Sequence, residues 1–204
     1  MGETSHTVLT EQEKHARLRL IRSDGIGPVS FAKMLSFHGS ADATIRHLLN
    51  TPSQGKRQIE IFPEAATAAE ISTHEKMGAS LLFLGEPDYP KTLAAIADAP
   101  PVLSVIGNAS LLSQQNIGVV GARNASASGL KLTRMLCKRL AESHMVITSG
   151  MARGLDAAAH AAALPYGTIA WMAAHGAGND PQHNSQPYPQ KTEHHRPTHQ
   201  PPKT

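Results

Sequence analysis

Cysteine is nearly absent from this 204-residue chain, and the one copy, Cys137, excludes an internal disulfide. No paired His or Asn motif accompanies it, so it reads as a small buried helix residue rather than a nucleophile. Aromatic residues make up only 4% against 40% hydrophobic residues in all. A core built from Ala, Leu, Ile and Val suits tight layers of helix on sheet. No apolar signal-like region opens the sequence and no apolar run reaches membrane-spanning length, so it reads as cytoplasmic with no membrane partner. Beyond Ile169 there is no Val, Ile, Leu or Phe. Residues 174–204, rich in His, Pro and Gln, cannot bury enough apolar surface to offset ordering entropy and are expected to be disordered. The histidines near the chain's end (His194, His195, His199) read as compositional bias rather than a metal site.

The formal net charge of +3 is unevenly spread. Residues 1–115 carry ten Lys and Arg against twelve Asp and Glu, whereas residues 116–173 carry six against two. The basic segment is also where turn geometry favours anions, as set out below. Upstream, Thr10-Glu11-Gln12-Glu13 has the form of a capping box for a helix through Arg22. Asp24-Gly25-Ile26-Gly27-Pro28 then leads into an amphipathic run from Val29 to Phe37. Helix, glycine turn, proline, helix is the outline of a helix-hairpin-helix. The turn has no Lys or Arg and an acidic flank, so packing is favoured over DNA contact there.

Pro52, Gly55 and Pro63 mark a linker over residues 51–63. Further on, helices are expected near Glu64–Met77, Lys91–Ile96, Ala127–Ser143 and Leu155–Leu164. Strands are expected at Leu81–Leu84, Val102–Ile106, Ile117–Val120, Val146–Thr148 and Thr168–Met172. The alternation predicts an extended Rossmann-like, doubly wound, mostly parallel sheet with right-handed crossovers. The expected domains are a small helix-hairpin-helix or SAM-like helical unit over 1–60, the Rossmann-like core over 61–173, and the tail over 174–204.

Two strand-glycine-helix joints carry the chemistry: NIGVVGARNASASGLKL from Asn116 and MVITSGMARGLDAAAH from Met145. At the carboxyl ends of parallel strands, helix N-termini leave amides free and favour anions. Gly121 permits close approach to the backbone, and Arg123 suits a bidentate phosphate clamp. Ser126 and Ser128 stand at the helix start, able to cap it or to bond a phosphate oxygen. In the second joint, Ser149-Gly150 ends a strand, with Arg153-Gly154 in reach. Asp156 and His160, at i and i+4, read as a helix-end carboxylate with a packed His rather than an acid–base pair, since no third ligand or nucleophile is suitably spaced. Lys131, Arg134 and Lys138 form a basic stripe, with Leu132, Met135, Leu136 and Leu140 as the expected apolar side.

GVVGARNASASG, ITSGMARGLDAAAHAAAL and GTIA, with the lead-in EPDYPKTLAAIADAPPVLSVIGN, closely resemble the DNA-processing protein A family (DprA, also called Smf). The resemblance covers about residues 10–173. It implies sequence-independent binding of single-stranded DNA in natural transformation, protection of the strand, and help in loading a RecA-type recombinase. It also implies a homodimer, no nucleotide cofactor and no catalysis. By motif position, Gly121, Arg123, Ser149, Gly150, Arg153 and Gly154 line the implied pocket, with Ser126 and Lys131 added from the residues' own chemistry. Ala122 stands where the family commonly has the Ser of a G-S-R turn. The family pattern continues past GTIA, and nothing recognisable follows Ala173. The expectation is therefore a shortened sheet, a missing dimer interface and impaired DNA binding.

A Rossmann-like nucleoside-monophosphate phosphoribohydrolase is the competing enzymatic reading, and the P-G-G-x-G-T-x-x-E stretch it needs is missing. A dinucleotide-binding domain ranks last, because Gly121 to Gly129 lacks the G-x-G-x-x-G spacing.

Overall fold

In the computed structural model, which describes residues 8–51 and 59–172, the chain opens with α1 (Glu11–Arg22), α2 (Pro28–His38) and α3 (Ala41–Asn50). Thr10 caps α1, its Oγ1 accepting the Glu13 amide at 3.2 Å. The return half of the expected capping box is absent. The Glu13 carboxylate instead accepts the Ala41 and Asp42 amides at the start of α3, at 2.9 and 3.3 Å, and the Arg17 Nε at 3.0 Å. Gly25 takes φ +77° in the turn before α2, and Pro28 starts that helix with its fixed φ. Leu20, Ile26, Phe31, Ala41 and Ile45 close the helical core.

The next helix, α4 (Glu64–Lys76), is tied to α1 by a bidentate Arg22–Glu70 pair. Buried Ser23 adds a second tie: its Oγ donates to Arg19 O and accepts the Phe62 amide. Most of the expected linker, residues 52–58, and the tail histidines lie outside the described residues.

Strands β1 (Ala79–Phe83) and β2 (Val102–Ile106) flank the short α5 (Lys91–Ala94). The two strands pair antiparallel as a separate sheet, rather than entering the parallel one as the strand–helix alternation predicts. Beneath them Tyr89 is buried with Leu82, Leu103 and Leu112, and its hydroxyl donates to Pro100 O at 2.7 Å.

The parallel sheet has the order β3 (Asn116–Val119), β4 (Val146–Ser149), β5 (Thr168–Ala170). The crossovers are α6 (Ala127–Glu142) and α7 (Leu155–Ala163). Cys137 and Ala141 of α6 meet Ala159 and Ala163 of α7 over Ile147, with Ile117 and Val119 beside them. Both helices therefore cover one face, and among the described residues no crossover helix furnishes the second face of a doubly wound sheet. Near β5 that other face is met instead by Leu112 and its cluster, against which Ile169 packs. Small side chains let the helices approach closely. Ile147 is completely buried, and burial of such a side chain stabilises by about 1.5–3 kcal/mol.

The apolar side of α6 is thus Cys137 and Ala141, with Leu140 partly buried. Leu132, Met135 and Leu136, expected to face the core, are exposed. Cys137 is buried, which pushes its thiol pKa up. No helix among the described residues is long and apolar enough to cross a membrane.

Candidate functional site

The two joints lie side by side at the carboxyl ends of β3 and β4, in strand register Val119 with Ser149. A backbone bond links them, the Leu155 amide donating to Ala122 O at 3.2 Å. Gly154, at φ +84° and ψ −124°, presses its Cα against the first loop. A Cβ there would stand 2.5 Å from Arg123 O and closer still to Ala122 O. Gly121 is similarly apposed to Leu155, whose Cβ would be 2.8 Å from an added methyl. Arg153 directly precedes Gly154 and Arg123 lies two residues past Gly121, so the two arginines spring from loops in direct contact.

Carbonyls in this joint turn inward. Ala122 O accepts from Leu155, and Gly150 O accepts from His160 Nε2 at 2.8 Å. The carbonyl partner fixes the proton on Nε2. The other ring nitrogen lies 2.9 Å from Thr168 Oγ1, and that hydroxyl reaches Ile147 O. Buried His160 thus braces the Gly150 loop from below. Its partners are Gly150 and Thr168, not Asp156, and the signal that finds them is a His one strand away from a Thr, which sequence alone does not align.

The amides behave oppositely. Among the described residues, no amide from Gly121 to Ser128 donates to a protein acceptor. Amides without a protein acceptor at the start of α6 are groups that can donate to an anion.

Two of the sequence-chosen hydroxyls are already engaged. Ser126 caps α6, its Oγ accepting the Gly129 amide at 3.1 Å. Ser149 is buried, and its Oγ donates to Val119 O at 2.6 Å. Ser149 is a strut between strands rather than a surface group. The α7 N-terminus also differs from the expectation of a second free cradle. Its first amide is bonded to Ala122, and buried Asp156 places a carboxylate in its first turn. That charge complements the helix dipole and repels a second anion. Gly150 makes room for it, since a Cβ there would be 2.9 Å from Asp156 Oδ2.

The arginines divide cleanly. Arg17, Arg19, Arg22 and Arg46 of the helical region all bond acids or carbonyls. Arg123, Arg134, Arg139 and Arg153 have no such partner among the described residues. Lys131 is exposed and likewise unpaired there, and Lys138 reaches Glu142 at 3.8 Å. The described residues contain no group of three His, Cys, Asp or Glu able to hold a metal ion.

Comparison with known proteins places these features. The family model for DNA recombination-mediator protein A matches residues 80–196, and that for the DprA-like N-terminal HHH domain matches residues 11–73. The chain belongs to the DprA/Smf family. Its helical N-terminal domain and mixed α/β domain with a parallel sheet are similar to those of DprA structures. The first family match runs past residue 173, where the sequence resemblance ended. DNA processing protein DprA of Streptococcus pneumoniae is 44% identical over 79 residues, 39% of this chain and 28% of that protein. Protein Smf of Escherichia coli is 30% identical over 136 residues, 67% of this chain and 36% of that protein. The X-ray structure of DprA from Streptococcus pneumoniae superposes with a TM-score of 0.53 at 26% identity, covering 80% of this chain and 58% of that one. The chain therefore spans about a third of the length of the curated relatives it matches.

Proposed function

We propose that the paired joints grip the sugar-phosphate backbone of single-stranded DNA without reading its sequence. The observation that carries the reading is the apposition of the two loops: unclaimed amides at the start of α6 beside Arg123 and Arg153, both without acidic partners among the described residues. Amides and guanidiniums recognise phosphate oxygens, which every nucleotide has, so affinity follows charge rather than base order. Gly121 and Gly154 set the loop spacing, Gly150 and Ser149 hold the second strand end, Ser126 fixes the helix start, and Lys131 extends the positive track along α6. In this reading no bond is made or broken.

Membership in the DprA/Smf family supports DNA as the partner. On that footing the chain acts in the cytoplasm during DNA uptake and transformation, shielding the strand and passing it to a RecA-type recombinase.

The test is salt-dependent binding of an oligodeoxynucleotide. Each phosphate contact on a single strand contributes about 0.7 to the slope of log affinity against log salt. Arg123→Ala and Arg153→Ala are each expected to weaken binding to all sequences alike and to flatten that slope by about 0.7. Affinity indifferent to salt and to both substitutions would remove the phosphate grip.

A further inference from the structure

The same sheet edge carries apolar groups that a purely phosphate-binding surface does not need. Each of the three parallel strands ends in one: Val120 after β3 is 86% exposed, Met151 after β4 47%, and Trp171 after β5 39%. Trp171 is the chain's only tryptophan. Its amide donates to Ser149 O at 2.9 Å, which extends the β4–β5 ladder one bond further and sets Trp171 directly beside the strand end that leads into the Gly150–Gly154 loop. Among the described residues its ring joins no aromatic pair and its indole N–H has no acceptor. An indole left open at the sheet edge that carries both arginine loops is an unusual placement, because a large flat apolar surface normally goes to the core.

We propose that Trp171 is a base-stacking platform beside the phosphate grip, so that this edge takes unpaired nucleotides and rejects duplex. The inference rests on the phosphate-binding reading above and adds a base contact to it. The chemistry follows from the two kinds of surface. Arginines and amides hold the backbone of any strand, paired or not. A duplex keeps its bases stacked on one another, whereas a single strand presents π-faces to an indole. Every base has such a face, so the platform adds strand selectivity without sequence selectivity. Val120 and Met151 supply apolar neighbours on which the sugar edges can rest.

Three reagents separate the contributions: an oligodeoxythymidylate, an abasic oligomer with the same number of phosphates, and a duplex. The expected result is that native tryptophan fluorescence is quenched saturably by the oligodeoxythymidylate and unchanged by the abasic oligomer. Trp171→Ala should lose roughly tenfold in affinity for the oligodeoxythymidylate, as loss of one stacked base implies. It should keep the native affinity for the abasic oligomer and the native salt slope, and so bind duplex and single strand more nearly alike. Trp171→Phe should restore most of the loss. Native fluorescence unmoved by a bound oligodeoxythymidylate overturns the proposal, as does an unchanged affinity in Trp171→Ala. If Trp171→Ala loses the abasic oligomer as well, the substitution has damaged the fold, and the native quenching with the Trp171→Phe affinity decides. The phosphate grip fails on a different result, abasic-oligomer binding that ignores Arg123→Ala and Arg153→Ala, and no binding of either oligomer by the native chain removes grip and platform together.

Discussion

Replacing Gly154 by alanine is the sharpest test of the joint. At φ +84° and ψ −124° the backbone is in a region open to glycine, and an L-residue forced there costs about 1–3 kcal/mol. The methyl would also sit 2.5 Å from Arg123 O and 2.8 Å from its carbonyl carbon. These are main-chain atoms that cannot rotate aside. Relief requires the loops to separate, which breaks the Leu155–Ala122 bond at a further cost of about 1 kcal/mol. Together the terms reach on the order of 2–4 kcal/mol, a sizeable part of the stability of a small domain. Gly150→Ala is the matched control. Its methyl meets only Asp156 Oδ2 at 2.9 Å, the far end of a side chain that can turn away. Urea unfolding followed by circular dichroism should show a large fall in midpoint for Gly154→Ala and a smaller one for Gly150→Ala. Oligonucleotide binding below the transition should fall for Gly154→Ala, because the two guanidiniums move apart. If Gly154→Ala unfolds at the native midpoint and binds with native affinity, the loops are not apposed and the geometry of the site is wrong.

Two further expectations concern stability. Burial pushes the Tyr89 phenol from 10.0 up to about 12, so the folded pKa lies above the unfolded one. The stabilisation is therefore complete below pH 10 and is lost as pH rises toward about 12. Urea midpoints across that window should fall in the native chain and fall less in Tyr89→Phe, and an equal fall in both would assign the alkaline loss to other groups. His144, at φ +63°, occupies a left-handed position just past α6, where its amide and that of Met145 close the helix on Ala141 O and Leu140 O. His144→Gly should raise thermal stability by about 1 kcal/mol, and a lower melting temperature for that variant would show that the imidazole makes a contact worth more than the strain.

The two joints were legible because their chemistry is local. A Val/Ile run ending in Gly, followed by a capping Ser or an acidic first turn, fixes strand, turn and helix within a few residues, and α6, β4 and α7 fall within one or two residues of expectation. Strand direction is not local. Nothing in the periodicity of Ala79–Phe83 distinguishes an antiparallel partner from a parallel one, and the pairing with Val102–Ile106 depends on how the chain returns through Tyr89 and α5. The orientation of α6 was misread because its sequence offers two apolar stripes. The larger one, Leu132, Met135 and Leu136, looks like a core face, yet the Ala-rich surface of α7 selects the smaller side chains at Cys137 and Ala141. Helix α3 is absent from the sequence reading, although Ala41, Ile45 and Leu48 repeat at helical spacing and pack into the helical core. Its Ser40 cap, accepting the Ala43 amide, was the available signal. Ser126 and Ser149 show the same limit at the site. A hydroxyl beside a glycine turn suits a ligand or a neighbouring main-chain group equally well, and only the fold chooses.

Glu13 and Arg17 give the helical region a hold on the rest of the chain that a beads-on-a-string picture would miss. One carboxylate gathers the first amides of α3 and the guanidinium of Arg17, and that guanidinium in turn clasps Leu84 O, just past β1, at 2.6 Å. Lys14 adds a second clasp to Glu86. Severing the chain between residues 51 and 64 would therefore remove the donor from Leu84 O and the counter-ion from Glu86, on the hairpin that shelters β5. The helices and the sheet are best expressed, mutated and assayed together.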